Sequence, residues 1–344
     1  MCHLRDVFFA PFSQTESAST AFKAIFYALT RTGQEAVMLF FVISGFLVGG
    51  SCIRRLRLGT FSASRYTLDR LSRIYVPLLP VLLLTFAIMW LFTGHHDTVS
   101  LLINLFSLQG VLGEPLEGDG ALWSLSYEVW FYVLAGALCV LFGRRSLGAG
   151  LVAFFLFGLV FAVFTRLLPG YLFVWGFGAC AFCLPRPQPR LAILIGVFAL
   201  VVSLSGVALM QLTIASDQVD SGRWATINPM LGVLVCSIGL SLVVYLASFG
   251  RTGGSGTKLN QRVGAFLASF SYTLYLVHLP IHFVFRELGL IRIHTSLDAR
   301  SLLEYMATLA VILTMSYGLY WCAERHTGRV RSLLYRWAGI KRSA

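Results

Sequence analysis

The chain has 344 residues, of which 57% are hydrophobic and only 12% are charged. Because water-soluble domains carry about 25% charged residues, this composition excludes an ordinary soluble protein and indicates one that crosses a membrane. Lys and Arg outnumber Asp and Glu by 27 to 15, a formal net charge of +12. The basic residues cluster between long apolar stretches, so we expect a lipid bilayer as the partner and no nucleic acid.

Apolar stretches of spanning length recur along the chain. A brief piece at 1–12 is too short to span and resembles the final turns of a helix whose beginning is missing. Nine spans are predicted after it, near 33–51, 73–93, 122–142, 149–168, 169–184, 191–211, 226–250, 263–285 and 303–322. Between them, 99–113 has the length of an interfacial or re-entrant helix. The sequence therefore predicts an all-α, polytopic transmembrane helix bundle of about ten spans with the first one truncated, in a single domain over 1–344.

Basic residues concentrate on one side of the predicted membrane. They occupy the loop after the first complete span, alternate loops beyond it and a tail at 325–344: Arg54, Arg55, Arg57, Arg65, Arg70, Arg73, Arg144, Arg145, Arg186, Arg190, Arg251, Lys258, Arg262, Arg325, Arg329, Arg331, Arg336, Lys341 and Arg342. The opposite side receives most of the acidic residues: Asp97, Glu114, Glu117, Asp119, Asp217, Asp220, Glu287 and Asp298. Under the positive-inside rule the basic side, with the C-terminal tail, is cytoplasmic.

Few ionisable side chains lie within the predicted spans, where each one costs about 2.5–3.5 kcal/mol on insertion scales. They are His3, Glu35, Glu128, His278, His282 and Glu324, with Arg70 and Arg73 at a span entrance. Arg70 and Arg73, in the string RLSRIYVP (70–77), share a helix face at the cytoplasmic boundary. Two guanidinium groups there suit bidentate binding of the phosphates of a nucleotide-type donor. Anchoring to lipid head groups is the alternative.

The string LWSLSYEVWFY (122–132) enters the membrane from the acidic side. Ser124 and Glu128 lie four residues apart on one helix face. A carboxylate one turn inside a span is either buried against a partner or lines a wet cavity. Glu128 could hold a sugar hydroxyl or orient a base, and Trp123 and Tyr132 could stack on a sugar ring. The alternatives are a structural hydrogen bond between helices and an interfacial aromatic belt.

A polar stripe follows one face of the span at 263–285. It consists of Ser271, Tyr275, His278 and His282, spaced i, i+4, i+7 and i+11. Two His residues four apart could bind a metal, but no carboxylate motif accompanies them, so no metal site is predicted. The pair Cys180 and Cys183 has no second pair or nearby His, and packing is the favoured interpretation.

A fourth string, FFVISGF (40–46), is followed by Leu-Val-Gly49, so that Gly45 and Gly49 form a GxxxG helix-packing face. Together with RLSRIYVP, LWSLSYEVWFY and SYTLYLVHLP (271–280), in this order, it resembles the acyltransferase 3 family of integral-membrane acyltransferases. Members modify lipopolysaccharide, exopolysaccharide, peptidoglycan, antibiotics and other acceptors. The resemblance spans 33–324, and a final helix bearing Glu324 fits it too.

The resemblance implies specific roles and a location in the bacterial inner (plasma) membrane. It implies that His3 is the catalytic base, that the region of Arg70 and Arg73 meets an acyl-CoA donor, and that Glu128 is essential. The family pattern also places an Arg about ten residues before the His. That Arg would precede Met1, which is why we expect the first helix to lack its beginning.

We therefore expect an O-acyltransferase that uses acyl-CoA, in particular acetyl-CoA, as co-substrate, with no bound cofactor and with a glycan or glycolipid as acceptor. His3 would take the proton of a sugar hydroxyl, and Glu35 could orient the His3 imidazole. Glu128 or Tyr275 could hold the acceptor. Further residues that could bind the acceptor or have a structural role are Trp123, Ser124, Tyr132 and His278. A covalent acyl intermediate on Ser44, Ser124 or Ser126 stays open. Rival functions are a secondary transporter, a flippase or permease of a glycan intermediate, and a structural scaffold, which leaves the polar stripe unexplained.

Overall fold

The computed structural model describes residues 2–143, 146–216, 229–249 and 255–340, with side chains described for all of these except 212–216 and 255–261. Some charged residues of the predicted topology lie outside this description: Arg144, Arg145, Asp217, Asp220, Arg251, Lys341, Arg342 and the side chain of Lys258. Within the described ranges the chain is helical and has no β-strand.

The chain forms fourteen α-helices within the described ranges. They are α1 (Cys2–Phe8), α2 (Thr20–Thr30), α3 (Gly33–Ser44), α4 (Gly50–Arg57), α5 (Ala63–Thr93), α6 (Thr98–Leu105), α7 (Trp123–Phe142), α8 (Leu147–Phe164), α9 (Gly170–Cys183), α10 (Pro189–Ser216), α11 (Pro229–Ala247), α12 (Ser255–Glu287), α13 (Ala299–Cys322) and α14 (Thr327–Trp337). A π-helical turn, Gly45–Gly49, joins α3 to α4.

The described residues contain eight helical stretches long and apolar enough to cross a membrane. These are Thr20–Arg57, Ala63–Thr93, Gly120–Phe142, Leu147–Phe164, Pro189–Gln211, Pro229–Ala247, Arg262–Glu287 and Ala299–Trp337. A shorter apolar helix, Gly170–Cys183, accounts for the remaining predicted span at 169–184. The polytopic, all-α fold class is thus confirmed. The single domain over 1–344 stays a prediction.

Helix α2 and the start of α5 differ most from the sequence-based expectation. Helix α2 was not predicted, because it has only 11 residues and a break at residues 31–32 separates it from α3. Ser19 caps it by accepting a hydrogen bond from the Phe22 amide at 3.2 Å. Helix α5 begins ten residues before the predicted span, since its polar first turns are helical but not apolar.

The helices group into two compact units. The first unit comprises Met1–Gly33, Ser64–Ser126 and Ser255–Ala344. Here the end of α1 is held by backbone hydrogen bonds, from the His294 amide to the Phe8 carbonyl (2.8 Å) and from the Ala10 amide to the His294 carbonyl (2.9 Å). Phe8 also packs edge-on against Tyr305 of α13, which is fully buried. These contacts fix the position of the short helix that carries His3.

The second unit comprises Gln34–Ala63 and Tyr127–Gly254. Its centre is an aromatic cluster in which Phe131 lies edge-on to Phe41 and stacks on Trp175, with ring centroids 5.2 and 5.7 Å apart. The backbone of α9 approaches α3 and the π-helical turn so closely that Gly45 and Gly178 leave no room for a Cβ atom. This close approach sets Trp175 against the end of α3.

Candidate functional site

In the first unit, α1 and α12 bring His3 and His278 together. Their ring centroids are 5.3 Å apart, with the planes tilted by 39°. Nδ1 of His278 lies 2.7 Å from the Tyr275 carbonyl oxygen. Because a carbonyl can only accept, Nδ1 carries the hydrogen and Nε2 of the neutral ring presents its lone pair. His3 is exposed and His278 is half-buried, so this imidazole pair is open to a substrate.

The polar stripe continues along α12. The His282 ring is perpendicular to that of His278, with centroids 5.8 Å apart, and only 5% of His282 is exposed. One turn earlier, the Tyr275 hydroxyl donates to the Ala121 carbonyl and lies 2.9 Å from the Ser124 hydroxyl. The predicted acceptor-binding residues Ser124 and Tyr275 are therefore hydrogen-bonded to each other. Trp123 is the first residue of α7, beside Ser124.

The two arginines of the donor prediction have different surroundings, both within the first unit. Arg70 lies 5.7 Å from the ring of Tyr66, on the preceding helical turn. Arg73 lies 3.8 Å from Oε1 of Glu324, at the end of α13, and its guanidinium is 6.0 Å from the ring of Tyr272.

Glu324 is held by Thr273, a residue that sequence reasoning did not single out. The other carboxylate oxygen of Glu324 accepts from the Thr273 amide at 3.0 Å and from the Thr273 hydroxyl at 2.7 Å. Thr273 lies in the string SYTLYLVHLP, but on a different helix face from the polar stripe, and this is why the stripe did not reveal it.

In the second unit, Glu128 is the centre of a buried hydrogen-bond network. Its Oε1 accepts from the Ser44 hydroxyl at 3.0 Å and from the Tyr132 hydroxyl. The indole N–H of Trp175 donates to the Ser44 oxygen at 3.3 Å. Glu128 is 3% exposed, so these donors replace the water that a carboxylate needs. Trp175 was not predicted, because nothing in the chain links position 175 to position 44.

Glu35 lies in the same unit and has a different partner. Its Oε1 accepts from the Gln211 side-chain amide at 3.0 Å. Since His3 belongs to the first unit and Glu35 and Glu128 to the second, the proposed pairing of Glu35 with His3 stays a prediction.

Of the serines considered as acyl carriers, Ser44 donates to a carboxylate, whereas Ser126 donates to the Ser107 carbonyl.

No group of three or more His, Cys, Asp or Glu side chains able to hold a metal ion occurs among the described residues.

Comparison with known proteins gives one match. A family model described as an acyltransferase domain matches residues 1–321. No curated protein and no solved structure matches the chain. The matched range contains all four sequence strings and every candidate residue named above except Glu324.

Proposed function

Because the chain belongs to the acyltransferase 3 family, we propose that this membrane acyltransferase moves an acetyl group from cytoplasmic acetyl-CoA to a hydroxyl of a cell-envelope glycan. The observation that carries the proposal is the exposed His3 imidazole beside His278. An exposed imidazole in an otherwise apolar bundle suits proton transfer to and from a bound hydroxyl.

The reaction needs one base that later becomes an acid. His3 takes the proton of the acceptor hydroxyl while the hydroxyl oxygen attacks the thioester carbonyl. The carbon–sulfur bond then breaks, and the CoA thiolate leaves with the proton that His3 returns. His278 has its Nδ1–H committed to the Tyr275 carbonyl, so its ring is held in one orientation beside His3. This makes His278 a positioning residue.

The donor is proposed to bind at Arg70 and Arg73. The many arginines on the basic side attract the anionic phosphates of CoA. A guanidinium group can donate two parallel hydrogen bonds to the oxygens of one phosphate. On this basis the basic side faces the cytoplasm of a bacterium, the C-terminus is cytoplasmic and the chain lies in the inner membrane.

Glu128 is proposed to shape the acceptor region. Hydrogen bonds from the Ser44 and Tyr132 hydroxyls to Oε1 hold this end of the side chain in place. If an acyl-enzyme forms, Ser44 is the favoured carrier, since its hydroxyl already donates to a carboxylate base.

The test uses membrane vesicles that contain the protein, supplied with radiolabelled acetyl-CoA and surface glycan extracted from cells lacking the protein. We expect label in the glycan with the wild type, and at least about a hundredfold less with His3→Ala, the range typical of a lost general base. His96→Ala, which removes an exposed loop histidine, is the matched control and should transfer normally.

Two results would contradict the proposal. Full transfer by His3→Ala would remove the base assignment. Wild-type vesicles that exchange labelled glycan intermediate across the membrane, but never acylate it, would favour the flippase or transporter instead. Mass spectrometry of surface glycans from cells with and without the protein identifies the acyl group and its acceptor.

A further inference from the structure

A buried carboxylate faces the exposed Arg73 guanidinium from inside the first unit. We infer that Glu324, itself held by Thr273, is a positioning residue that orients Arg73 for a phosphate group of the acyl-CoA donor. This inference rests on the proposed function and assigns a role to two residues outside the sequence-based site.

The first step is that Glu324 cannot move freely. Its side chain is 5% exposed, and one of its oxygens accepts two hydrogen bonds from Thr273, which is itself 1% exposed. A buried carboxylate is costly unless hydrogen-bonded, and Thr273 supplies both of these bonds from one point on α12. The remaining oxygen, Oε1, is directed to Arg73 at 3.8 Å.

The second step is that Arg73 keeps donors for a ligand. Its side chain is 56% exposed, and a guanidinium has five N–H donors in a rigid planar fork. Contact with one carboxylate oxygen occupies one side of that fork. The large exposed fraction of the side chain leaves the other donors accessible to a ligand.

The third step concerns what the ion pair contributes. A partly exposed pair adds little to stability, and burying one of its members has a cost that the pair itself does not reliably recover. Glu324 also cancels part of the positive charge that attracts a phosphate. What remains is orientation: a long, flexible side chain that is held before the ligand arrives loses less conformational freedom on binding.

The experiment measures binding of CoA, as the probe, to the purified full-length protein in lipid nanodiscs. Glu324→Gln keeps the size of the side chain and removes its charge. We expect it to weaken CoA binding and raise the KM for acetyl-CoA by about three- to tenfold, with kcat and the KM for the acceptor little changed. Glu287→Gln, at an exposed ion pair with the neighbouring Arg286, is the control and should bind CoA normally.

Thr273 provides an independent check. Thr273→Ser keeps the hydroxyl that donates to Glu324 and should bind CoA like the wild type. Thr273→Val removes the hydroxyl at nearly constant shape and should weaken CoA binding in the same direction as Glu324→Gln.

A double variant separates positioning from a structural role. If Glu324 acts through Arg73, Glu324→Gln adds almost nothing to the loss of CoA affinity already caused by Arg73→Ala. A full additional loss, or a large fall in melting temperature with unchanged CoA affinity, would overturn the inference. So would tighter CoA binding by Glu324→Gln, which would make the carboxylate a competitor for the guanidinium. Wild-type protein that binds no CoA would instead overturn the proposed function.

Discussion

Gly178 of α9 lies where the second unit has no space for a larger residue. A Cβ atom added there would be 2.9 Å from both the Phe46 nitrogen and the Val42 carbonyl carbon, and closer still to the Val42 oxygen. Real Cβ contacts essentially never fall below 3.0 Å, and ordinary contact begins at 3.4 Å. All three atoms belong to the backbone, so no side-chain rotation relieves the clash. Gly178→Ala must therefore move α9 away from α3 by at least about 0.5 Å.

That displacement reaches the buried network of Glu128. The Trp175 indole N–H already donates to Ser44 at a long distance, 3.3 Å, and a shift of about 0.5 Å takes it beyond hydrogen-bond range. Overpacking costs typically about 1–3 kcal/mol, and an unsatisfied buried N–H adds about 1–3 kcal/mol. We expect Gly178→Ala to lower the free energy of unfolding by about 2–6 kcal/mol and to reduce acyl transfer.

The assay is thermal unfolding in detergent, followed by intrinsic tryptophan fluorescence. Gly176→Ala, two residues earlier on the same helix, is the matched control because nothing lies within 4 Å of its added Cβ. It should leave the melting temperature unchanged or raise it slightly, since Ala favours helix over Gly. Equal melting temperatures for the two variants would refute the reasoning from close backbone approach.

Two further predictions concern acidic residues outside the spans. Burial raises the pKa of Asp119 well above its ordinary value, an effect that the Ala121 amide partly offsets. Protonation of this carboxyl therefore stabilises the folded state at low pH, and that stabilisation is lost as pH rises. Asp119→Asn should be more stable than the wild type at pH 8, with the difference shrinking toward pH 4. Thermal unfolding across this range measures the difference, and a difference that grows toward low pH would contradict the prediction. Hydrogen bonds, above all from the Ser301 amide, lower the pKa of Asp298, which caps α13. The stabilisation by these hydrogen bonds is present at neutral pH and is lost as pH falls through the lowered pKa. Asp298→Ala should therefore increase hydrogen exchange at the start of α13 at pH 7 but not in strong acid. Equal exchange of the variant and the wild type at pH 7 would show that the cap contributes nothing.

The spans could be predicted from the sequence because a bilayer imposes both length and composition on each helix. The short apolar helix α9 was predicted near its observed bounds for this reason. Helix α2 does not meet the length criterion, because it has only 11 residues and a break at residues 31–32 separates it from α3. The ammonium group of Lys23, on this helix, donates to the Thr15 carbonyl at 2.9 Å. Local tertiary contacts support this helix, and a hydropathy pattern does not contain them.

The partners of the polar residues were less predictable than their positions. The cost of an ionisable group in a membrane marked Glu35, Glu128 and Glu324 from the sequence alone. It did not identify the partners that come from other helices. These lie 84 positions away for Ser44 and Glu128, 51 for Thr273 and Glu324, and 176 for Gln211 and Glu35. Only packing brings such pairs together.

The contacts in the structure also distinguish ionisable residues that sequence analysis selected on the same ground, their predicted position in the membrane. Each of these three carboxylates accepts at least one hydrogen bond within its own unit, whereas the His3 imidazole is exposed beside His278. A buried, hydrogen-bonded carboxylate has restricted movement, which suits it to holding another group. An exposed imidazole can gain and lose a proton at neutral pH. Hydrogen bonding therefore distinguishes the three held carboxylates from the exposed imidazole, although all four side chains carry the same cost of placing an ionisable group in a membrane.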